Sequence, residues 1–186
     1  MTILAPRHPV RGPAIAKMLH ARGLRTARRG AGEAIAADTD IYLADTLGEL
    51  GLFFRLAGIA FIGGSLVRKG GHNPFEAARL DCAIVHGPDM TNCAAMAGAL
   101  DEGGAALTVG DAESLAGAVS RLIDDPAERA RRAAAAGRVA AASAGALDAV
   151  LDRFAPWLDA LAPVAIADPK AAPLRATRHA SADARS

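Results

Sequence analysis

Residues 59–88 read IAFIGGSLVRKGGHNPFEAARLDCAIVHGP, and this stretch decides the fold. It contains two runs of continuous apolar residues, 59–62 and 82–85, a pattern typical of strands that are covered on both faces of a parallel sheet. Between them, a basic, glycine-rich segment leads to a predicted helix over about 74–80. The order strand, helix, strand predicts one βαβ unit.

The same alternation extends in both directions along the chain. Further strands are predicted over 2–5, 24–28, 41–44 and 105–109, and further helices over 12–22, 46–57, 91–100, 111–123, from 126 onward, and over 147–158 with a kink or break at Pro156. We therefore predict an α/β fold with a doubly wound parallel sheet in one domain, residues 1–162. Residues 163–186, rich in Ala, Pro, Arg, Asp and Ser without periodicity, are predicted to form a disordered tail.

Composition argues against several classes of function. The 186 residues carry 21 Lys and Arg against 20 Asp and Glu, which argues against a nucleic-acid-binding protein. Two cysteines, Cys82 and Cys93, are too few for a disulfide framework or a structural zinc site, and no metal or cofactor is expected. Neither a membrane-spanning segment nor a signal peptide is recognised, which favours the cytoplasm.

Ligands of parallel sheets bind beyond the carboxyl ends of the strands, so the loops that follow the strands are the candidate site. The first such loop is 6–9, Pro-Arg-His-Pro. Arg7 suits a planar, bidentate grip on phosphate or carboxylate. The alternative is that Arg7 is a solvated loop residue whose stem covers apolar surface.

The second loop is 45–49, Asp-Thr-Leu-Gly-Glu. Thr46 and Glu49 fit a capping box, with Thr46 as N-cap and Glu49 at the third helical position. The functional alternative uses the same geometry, because a helix N-terminus offers free N–H groups to an anion. Gly48 would then let a ligand approach the backbone closely.

The third loop, 63–76, is the longest. Asn73 as N-cap, Pro74 at the first helical position and Glu76 at the third predict a second capping box. That interpretation leaves the preceding four glycines and two cations unexplained, and these resemble an anion cradle. The segment is neither a Walker loop nor a Gly-x-Gly-x-x-Gly motif.

The fourth loop begins with His86-Gly87-Pro88 and has Asn92 nearby. His86 follows a strand and could face the site, although a lone histidine is more often structural.

Taken in order, Pro-Arg-His-Pro, Asp-Thr-Leu-Gly-Glu-Leu, Gly-Gly-Ser-Leu followed by Gly-Gly-His-Asn-Pro-Phe-Glu, and His-Gly-Pro followed by Asn resemble the C-terminal half of the 3-deoxy-D-manno-octulosonic acid (Kdo) transferases. These are lipopolysaccharide glycosyltransferases of the GT-B fold. The resemblance runs from about Ile3 to Leu158. Each motif alone is weak, whereas their combination is specific.

The resemblance implies that this half, a Rossmann-like domain, binds the donor CMP-Kdo. The implied CMP contacts are Pro6, Arg7, Leu47, Gly48, Glu49, Asn73, Pro74, Phe75 and Glu76. Arg7 and helix amides would hold the phosphate, and Glu76 would accept hydrogen bonds from the ribose hydroxyls, while loop 63–72 would close over the donor. Less specific candidates near the donor are His8, Gly64, Ser65, His72, His86 and Asn92.

The sequence also departs from the family pattern. Val10 stands where the family usually has Glu, and residues 89–93 replace a more aromatic stretch. The family's N-terminal domain carries the membrane anchor, the site for the lipid A precursor acceptor and a Glu general base, and Met1 lies where the second domain would begin. The resemblance therefore implies a donor-binding half without catalytic residues, which would act at the cytoplasmic face of the bacterial inner membrane as part of the full enzyme.

Two other functions are compatible with the same residues. One is another GT-B enzyme that uses a UDP- or GDP-sugar, and the other is a nucleotide-binding module without catalytic activity. A preference for cytidine nucleotides would distinguish the first hypothesis from the UDP- and GDP-dependent alternative.

Overall fold

The computed structural model describes residues 1–143 and 151–157. The described residues fall into two units, 1–143 and 151–157. In the second unit, residues 151–157 are helical, so the chain does not leave the helix at Pro156. The remainder of the predicted last helix, the predicted domain end at 162 and the predicted tail over 163–186 lie outside the described residues.

Strands and helices alternate through residues 1–143 as the sequence predicted. The six strands there are β1 Thr2–Leu4, β2 Thr26–Arg28, β3 Ile41–Leu43, β4 Ile59–Ile62, β5 Ala83–His86 and β6 Ala106–Thr108. The helices are α1 Gly12–His20, α2 Leu50–Leu56, α3 Phe75–Ala78, α4 Ala94–Glu102, α5 Ala112–Asp124 and α6 Pro126–Ala142. Short 3-10 turns occur at Pro9–Arg11, Arg29–Ala31 and Thr91–Cys93.

The strands form two parallel three-stranded sheets, in the orders β1-β3-β2 and β4-β5-β6. In the first sheet Tyr42 of β3 lies opposite both Ile3 and Ala27. In the second, Val85 of β5 lies opposite Phe61 and Leu107. The predicted parallel α/β class is confirmed, and β2 is an edge strand. Because all pairs are parallel, the loops that follow the strands of one sheet share one edge.

The β4-β5-β6 sheet is covered on both faces, which explains its continuous apolar strands. On one face Ile62 and Ile84 pack in a cluster with Ala136 and Ala140 of α6. The small alanine side chains on this face allow α6 to lie close to the sheet, so that little empty volume remains between helix and sheet. On the other face Ala83, Val85 and Val109 pack with Leu122 of α5.

Aspartates begin the two long helices. Asp111 Oδ1 accepts a hydrogen bond from the Ser114 N–H at 2.8 Å, and Asp125 Oδ1 accepts one from the Glu128 N–H at 2.8 Å. Each bond satisfies one of the N–H groups that a helix start leaves without an internal partner. Helix α6 therefore begins at Pro126, as predicted, and α5 begins at Ala112, one residue after its predicted start, because Asp111 is the N-cap.

The buried hydroxyl of Ser65 ties the carboxyl ends of β4 and β5 together. Its Oγ donates to the Ile62 carbonyl at 2.5 Å and accepts from the Gly87 N–H at 2.7 Å, while the Ser65 carbonyl accepts from the Asp89 N–H at 3.0 Å. The two loops approach so closely that a Cβ at position 87 would overlap the Ser65 backbone, so only glycine fits.

We expect Ser65→Ala to lower the free energy of unfolding by about 1–3 kcal/mol, because the variant leaves the buried Gly87 N–H without an acceptor. Ser120→Ala is the matched control, since Ser120 is exposed on α5 and should change the value by less than about 0.5 kcal/mol. Urea unfolding of the three proteins measures the difference. Equal stability of the two variants would contradict the role assigned to Ser65.

Candidate functional site

The loop after β1 presents an available guanidinium. Arg7 is exposed, and its side chain makes no hydrogen bond or ion pair with any residue of 1–143 or 151–157. The neighbouring His8 is also exposed, and Pro9 starts the 3-10 turn that leads into α1. The structure therefore places Arg7 at the carboxyl edge of the first sheet, where it is free to meet a ligand.

A buried carboxylate behind this loop connects β2, β3 and α1. Asp45 pairs with Arg28 and accepts the Gly30 N–H at 2.7 Å. Burial raises the pKa of Asp45, but the hydrogen bonds from Arg28 and Gly30 more than offset this, and the pKa lies below its ordinary value. A Cβ at Gly12 would overlap the carboxylate, so α1 can pack here only with glycine at that position. No short sequence motif indicates this cluster, because Arg28 and Asp45 are 17 residues apart.

Glu49 is held by an arginine that follows the neighbouring strand of the sheet. Arg29, which follows β2, donates from Nη2 to Glu49 Oε1 at 2.6 Å and from Nε to Oε2 at 3.2 Å. The Thr46 hydroxyl donates to the same Oε2 at 2.5 Å. These bonds, that of Arg29 first, lower the pKa of Glu49 to about 2, so the carboxylate is charged at neutral pH.

The predicted capping box at Thr46 and Glu49 is wrong. Helix α2 begins at Leu50, and Glu49 occupies the N-cap position without a side-chain cap. The reason is competition, because a bidentate, charge-assisted bond to Arg29 is stronger than a bond to a neutral backbone N–H. Leu47, which falls within the predicted helix over 46–57, lies before α2 and is 81% exposed.

Gly48 gives this loop its shape. Its φ is +82°, and nothing lies within 4 Å of the position where a Cβ would be. Any other residue would be strained there, and the open space on that side lets a second molecule approach the backbone.

The second predicted capping box, at Asn73 and Glu76, is also wrong in part. Asn73 Oδ1 does accept the Phe75 N–H at 2.9 Å, but α3 begins at Phe75, one residue later than predicted. Glu76 thus lies on the first turn, exposed, and its carboxylate makes no hydrogen bond within the described part of the chain. Pro74 and Phe75 are buried and anchor this turn, which leaves the charge of Glu76 available.

The glycine-rich loop after β4 is fastened to the loop after β5. The Gly70 N–H donates to Asp89 Oδ2 at 2.8 Å, and the Asn92 side-chain amide donates to the carbonyls of Lys69 and Gly71 at 2.9 and 3.3 Å. Gly70 and Gly71 have φ of +79° and +66°. Asn92, a candidate ligand contact from the sequence, therefore acts here as a clamp on the loop.

His86 lies in the interior rather than in the site. Its Nδ1 is 2.8 Å from the Gly87 carbonyl oxygen and its Nε2 is 3.1 Å from Asp101 Oδ1, so both ring nitrogens face protein acceptors. The structural interpretation of this lone histidine is confirmed. His72, by contrast, is exposed in the glycine-rich loop, and Gly64 supports a turn there with a φ of +78°.

Other chemistries find no support in the described residues. Burial raises the pKa of the Cys82 thiol to about 11, which makes it a poor nucleophile. Within 1–143 and 151–157, no three His, Cys, Asp or Glu side chains are grouped so that they could hold a metal ion. Across the same residues, every helix is too short or too polar to cross a bilayer.

No family model matches this chain. It is 37% identical over 159 residues to a 3-deoxy-D-manno-octulosonic acid transferase of Bordetella pertussis, an alignment that covers 85% of this chain and 37% of that protein. The enzyme of the same name from Haemophilus influenzae is 34% identical over 160 residues, 86% of this chain and 38% of the relative. The chain thus spans less than two fifths of the length of these curated relatives.

A solved structure matches at the level of a whole domain. The crystal structure of the C-terminal CMP-Kdo binding domain of WaaA from Acinetobacter baumannii aligns with a TM-score of 0.71 and 33% sequence identity, covering 74% of this chain and 72% of that one. The match confirms the predicted fold and the resemblance that the motifs indicated. The chain belongs to the family of the 3-deoxy-D-manno-octulosonic acid transferases.

Proposed function

We propose that this chain binds CMP-Kdo and serves as the donor-binding part of a Kdo transferase. The observation that carries the proposal is its similarity, over most of its length, to a domain described as CMP-Kdo binding. The geometry supports it, because the segments that follow β1 and β4 contain exposed charges of both signs without a partner among the described residues: Arg7 after β1, and Arg68, Lys69 and Glu76 after β4. A nucleotide needs both, a cation for the phosphate and an acceptor for its hydroxyls.

Arg7 is the proposed phosphate ligand, between Pro6 and His8. A guanidinium forms short, charge-assisted and often bidentate hydrogen bonds to phosphate oxygens. Its side chain has no competing carboxylate in the described part of the protein, so a ligand would not have to displace an existing ion pair.

The loop 47–49 is the proposed second contact. Gly48 leaves room for close approach of a ligand to the backbone. A carboxylate offers about four lone-pair sites, and Arg29 and Thr46 occupy three of those on Glu49, which leaves one for a ligand donor. Arg29 would thereby hold Glu49 in place for that single bond.

Residues 73–76 are the proposed ribose contact. The buried Pro74 and Phe75 hold the turn, and Asn73 closes it through its bond to the Phe75 N–H. Glu76 projects from this rigid base with its carboxylate unpaired among the described residues. In this proposal the Glu76 carboxylate accepts hydrogen bonds from the two ribose hydroxyls, and its charge strengthens those bonds.

In the complete reaction, Kdo would move from CMP to a lipid A precursor at the cytoplasmic face of the inner membrane. The donor part contributes binding and orientation of CMP-Kdo, and the acceptor site and the general base belong to the N-terminal part of such enzymes. Holding the donor in one geometry lowers the entropic part of the barrier.

The nucleotide preference distinguishes this function from its alternatives. We expect calorimetry to show binding of CMP that is at least tenfold tighter than that of UMP or GMP. Tighter binding of UMP or GMP would indicate a UDP- or GDP-sugar enzyme, and equal binding of all three would contradict the cytidine assignment. Added N-terminal domain should restore Kdo transfer, whereas a non-catalytic module would remain inactive.

Arg7→Ala should weaken the binding of CMP by about 1.5–3 kcal/mol, because it removes a charge-assisted bond to phosphate. Binding of cytidine, which lacks the phosphate, should be unchanged. Arg138→Ala is the control, since Arg138 is equally exposed but lies on α6. An equal loss for CMP and cytidine would show that Arg7 supports the loop instead of the ligand.

Glu76→Gln should lower the affinity for CMP by about 1–2 kcal/mol, because Gln keeps one acceptor oxygen but loses the charge. The melting temperature should stay near that of the parent, since the carboxylate makes no hydrogen bond within the described residues. Glu102→Gln, at the exposed end of α4, is the control. An early-melting variant that binds CMP normally would assign Glu76 a structural role only.

A further inference from the structure

We propose that the cleft between residues 65–70 and residues 88–92 binds the carboxylate of a sugar acid, through Arg68 and Lys69. This inference rests on the proposed function and extends it from the nucleotide to the sugar. Kdo is an octulosonic acid and therefore carries a carboxylate in addition to the phosphate that links it to cytidine.

The cleft is open and measures about 750 Å³. Residues 65–70 line one wall, and Pro88, Asp89, Thr91 and Asn92 line the other. One wall follows β4 and the other follows β5, so the cleft lies at the carboxyl edge of the second sheet. This is the edge where parallel sheets bind ligands, and the volume is in the range of small-molecule sites.

The charges of the cleft favour an anion. Arg68 and Lys69 are exposed, and neither side chain makes an ion pair or hydrogen bond to another described residue. The carboxylate of Asp89, in the opposite wall, already has partners in both walls, since it accepts the Gly70 N–H across the cleft at 2.8 Å and the Thr91 hydroxyl of its own wall at 3.0 Å. Those bonds, the one from Gly70 first, hold the pKa of Asp89 below its ordinary value, so it stays ionised and does not need the two cations.

The backbone that carries the two cations is fastened before any ligand arrives. Asn92 holds the Lys69 carbonyl at 2.9 Å, and Ser65 fixes the other end of the segment. A Cβ at Gly70 would lie 2.5 Å from the Asn92 side chain, so the two walls are in close contact at this point. Such preorganisation reduces the entropy lost on binding.

The cleft also lies within reach of the proposed nucleotide contacts. Gly70, which lines the cleft, and Asn73, at the start of the proposed ribose contact, are three residues apart, so their Cα atoms are separated by at most about 11 Å. A sugar that is joined to the nucleoside by one phosphate could therefore extend from Glu76 into the cleft. Arg68 would contribute a planar, bidentate grip on the carboxylate, and Lys69 a second charge.

The test compares the affinities for CMP-Kdo and CMP in Arg68→Gln, Lys69→Gln and the double variant. The parent should bind CMP-Kdo more tightly than CMP. Each single variant should lose about fivefold to tenfold in affinity for CMP-Kdo, and the double variant should bind CMP-Kdo no better than CMP. Affinity for CMP alone should change less than twofold. Arg138→Gln and Lys17→Gln, which remove matched exposed charges on α6 and α1, should leave both affinities unchanged.

Each other outcome overturns the inference in a recognisable way. Unchanged CMP-Kdo affinity in the double variant would show that the cleft does not hold the sugar. If the variants lose equal affinity for CMP and CMP-Kdo, the two cations contact the nucleotide phosphate instead. The same conclusion would follow if the parent bound both ligands equally well and the variants showed that equal loss. If the parent binds neither ligand, the proposed function itself is refuted. If the parent binds CMP and every variant keeps the parent's preference between CMP-Kdo and CMP, only the sugar-acid subsite is refuted.

Discussion

The hydroxyl of Ser65 is the contact on which the second half of the domain depends. By donating to the Ile62 carbonyl and accepting from the Gly87 N–H, it joins the ends of β4 and β5 where both strands leave the sheet. Its burial makes both bonds hard to replace with water. The glycine-rich loop that follows is then held in one position against residues 88–92, which gives the carboxyl edge a fixed shape before ligand binding.

The first sheet achieves the same result with charge instead of a hydroxyl. Arg28 is the last residue of β2 and Arg29 follows it. They bind Asp45 and Glu49, which lie in the loop after β3. Inner polar groups at both edges thus have partners within the protein, whereas Arg7, Glu76, Arg68 and Lys69 have none among the described residues. This division between paired supporting groups and unpaired outer groups is the physical basis for the proposed binding site.

Much of this arrangement was predictable from the sequence, because local patterns report local structure. Apolar runs located five of the six strands of residues 1–143, all except β2, and the parallel topology then pointed to the loops after β1, β3, β4 and β5. The capping box at Thr46 failed because Glu49 has a more favourable partner in Arg29, which lies 20 residues earlier. Asp45 and Arg28, 17 residues apart, were missed for the same reason, since no short motif contains both members of such a pair.

The central claim is that the nucleotide binds at the carboxyl edges of the two sheets, and amide chemical shifts measured during a titration with CMP test it most directly. We expect saturable shifts concentrated at Arg7, Gly48 and Glu76, with α6 unaffected. A second cleft of about 390 Å³, which includes Gly58 and Asp81, lies at the opposite, amino-terminal ends of β4 and β5 and provides an internal comparison. Shifts confined to that cleft, with none at the three loop positions, would contradict the account.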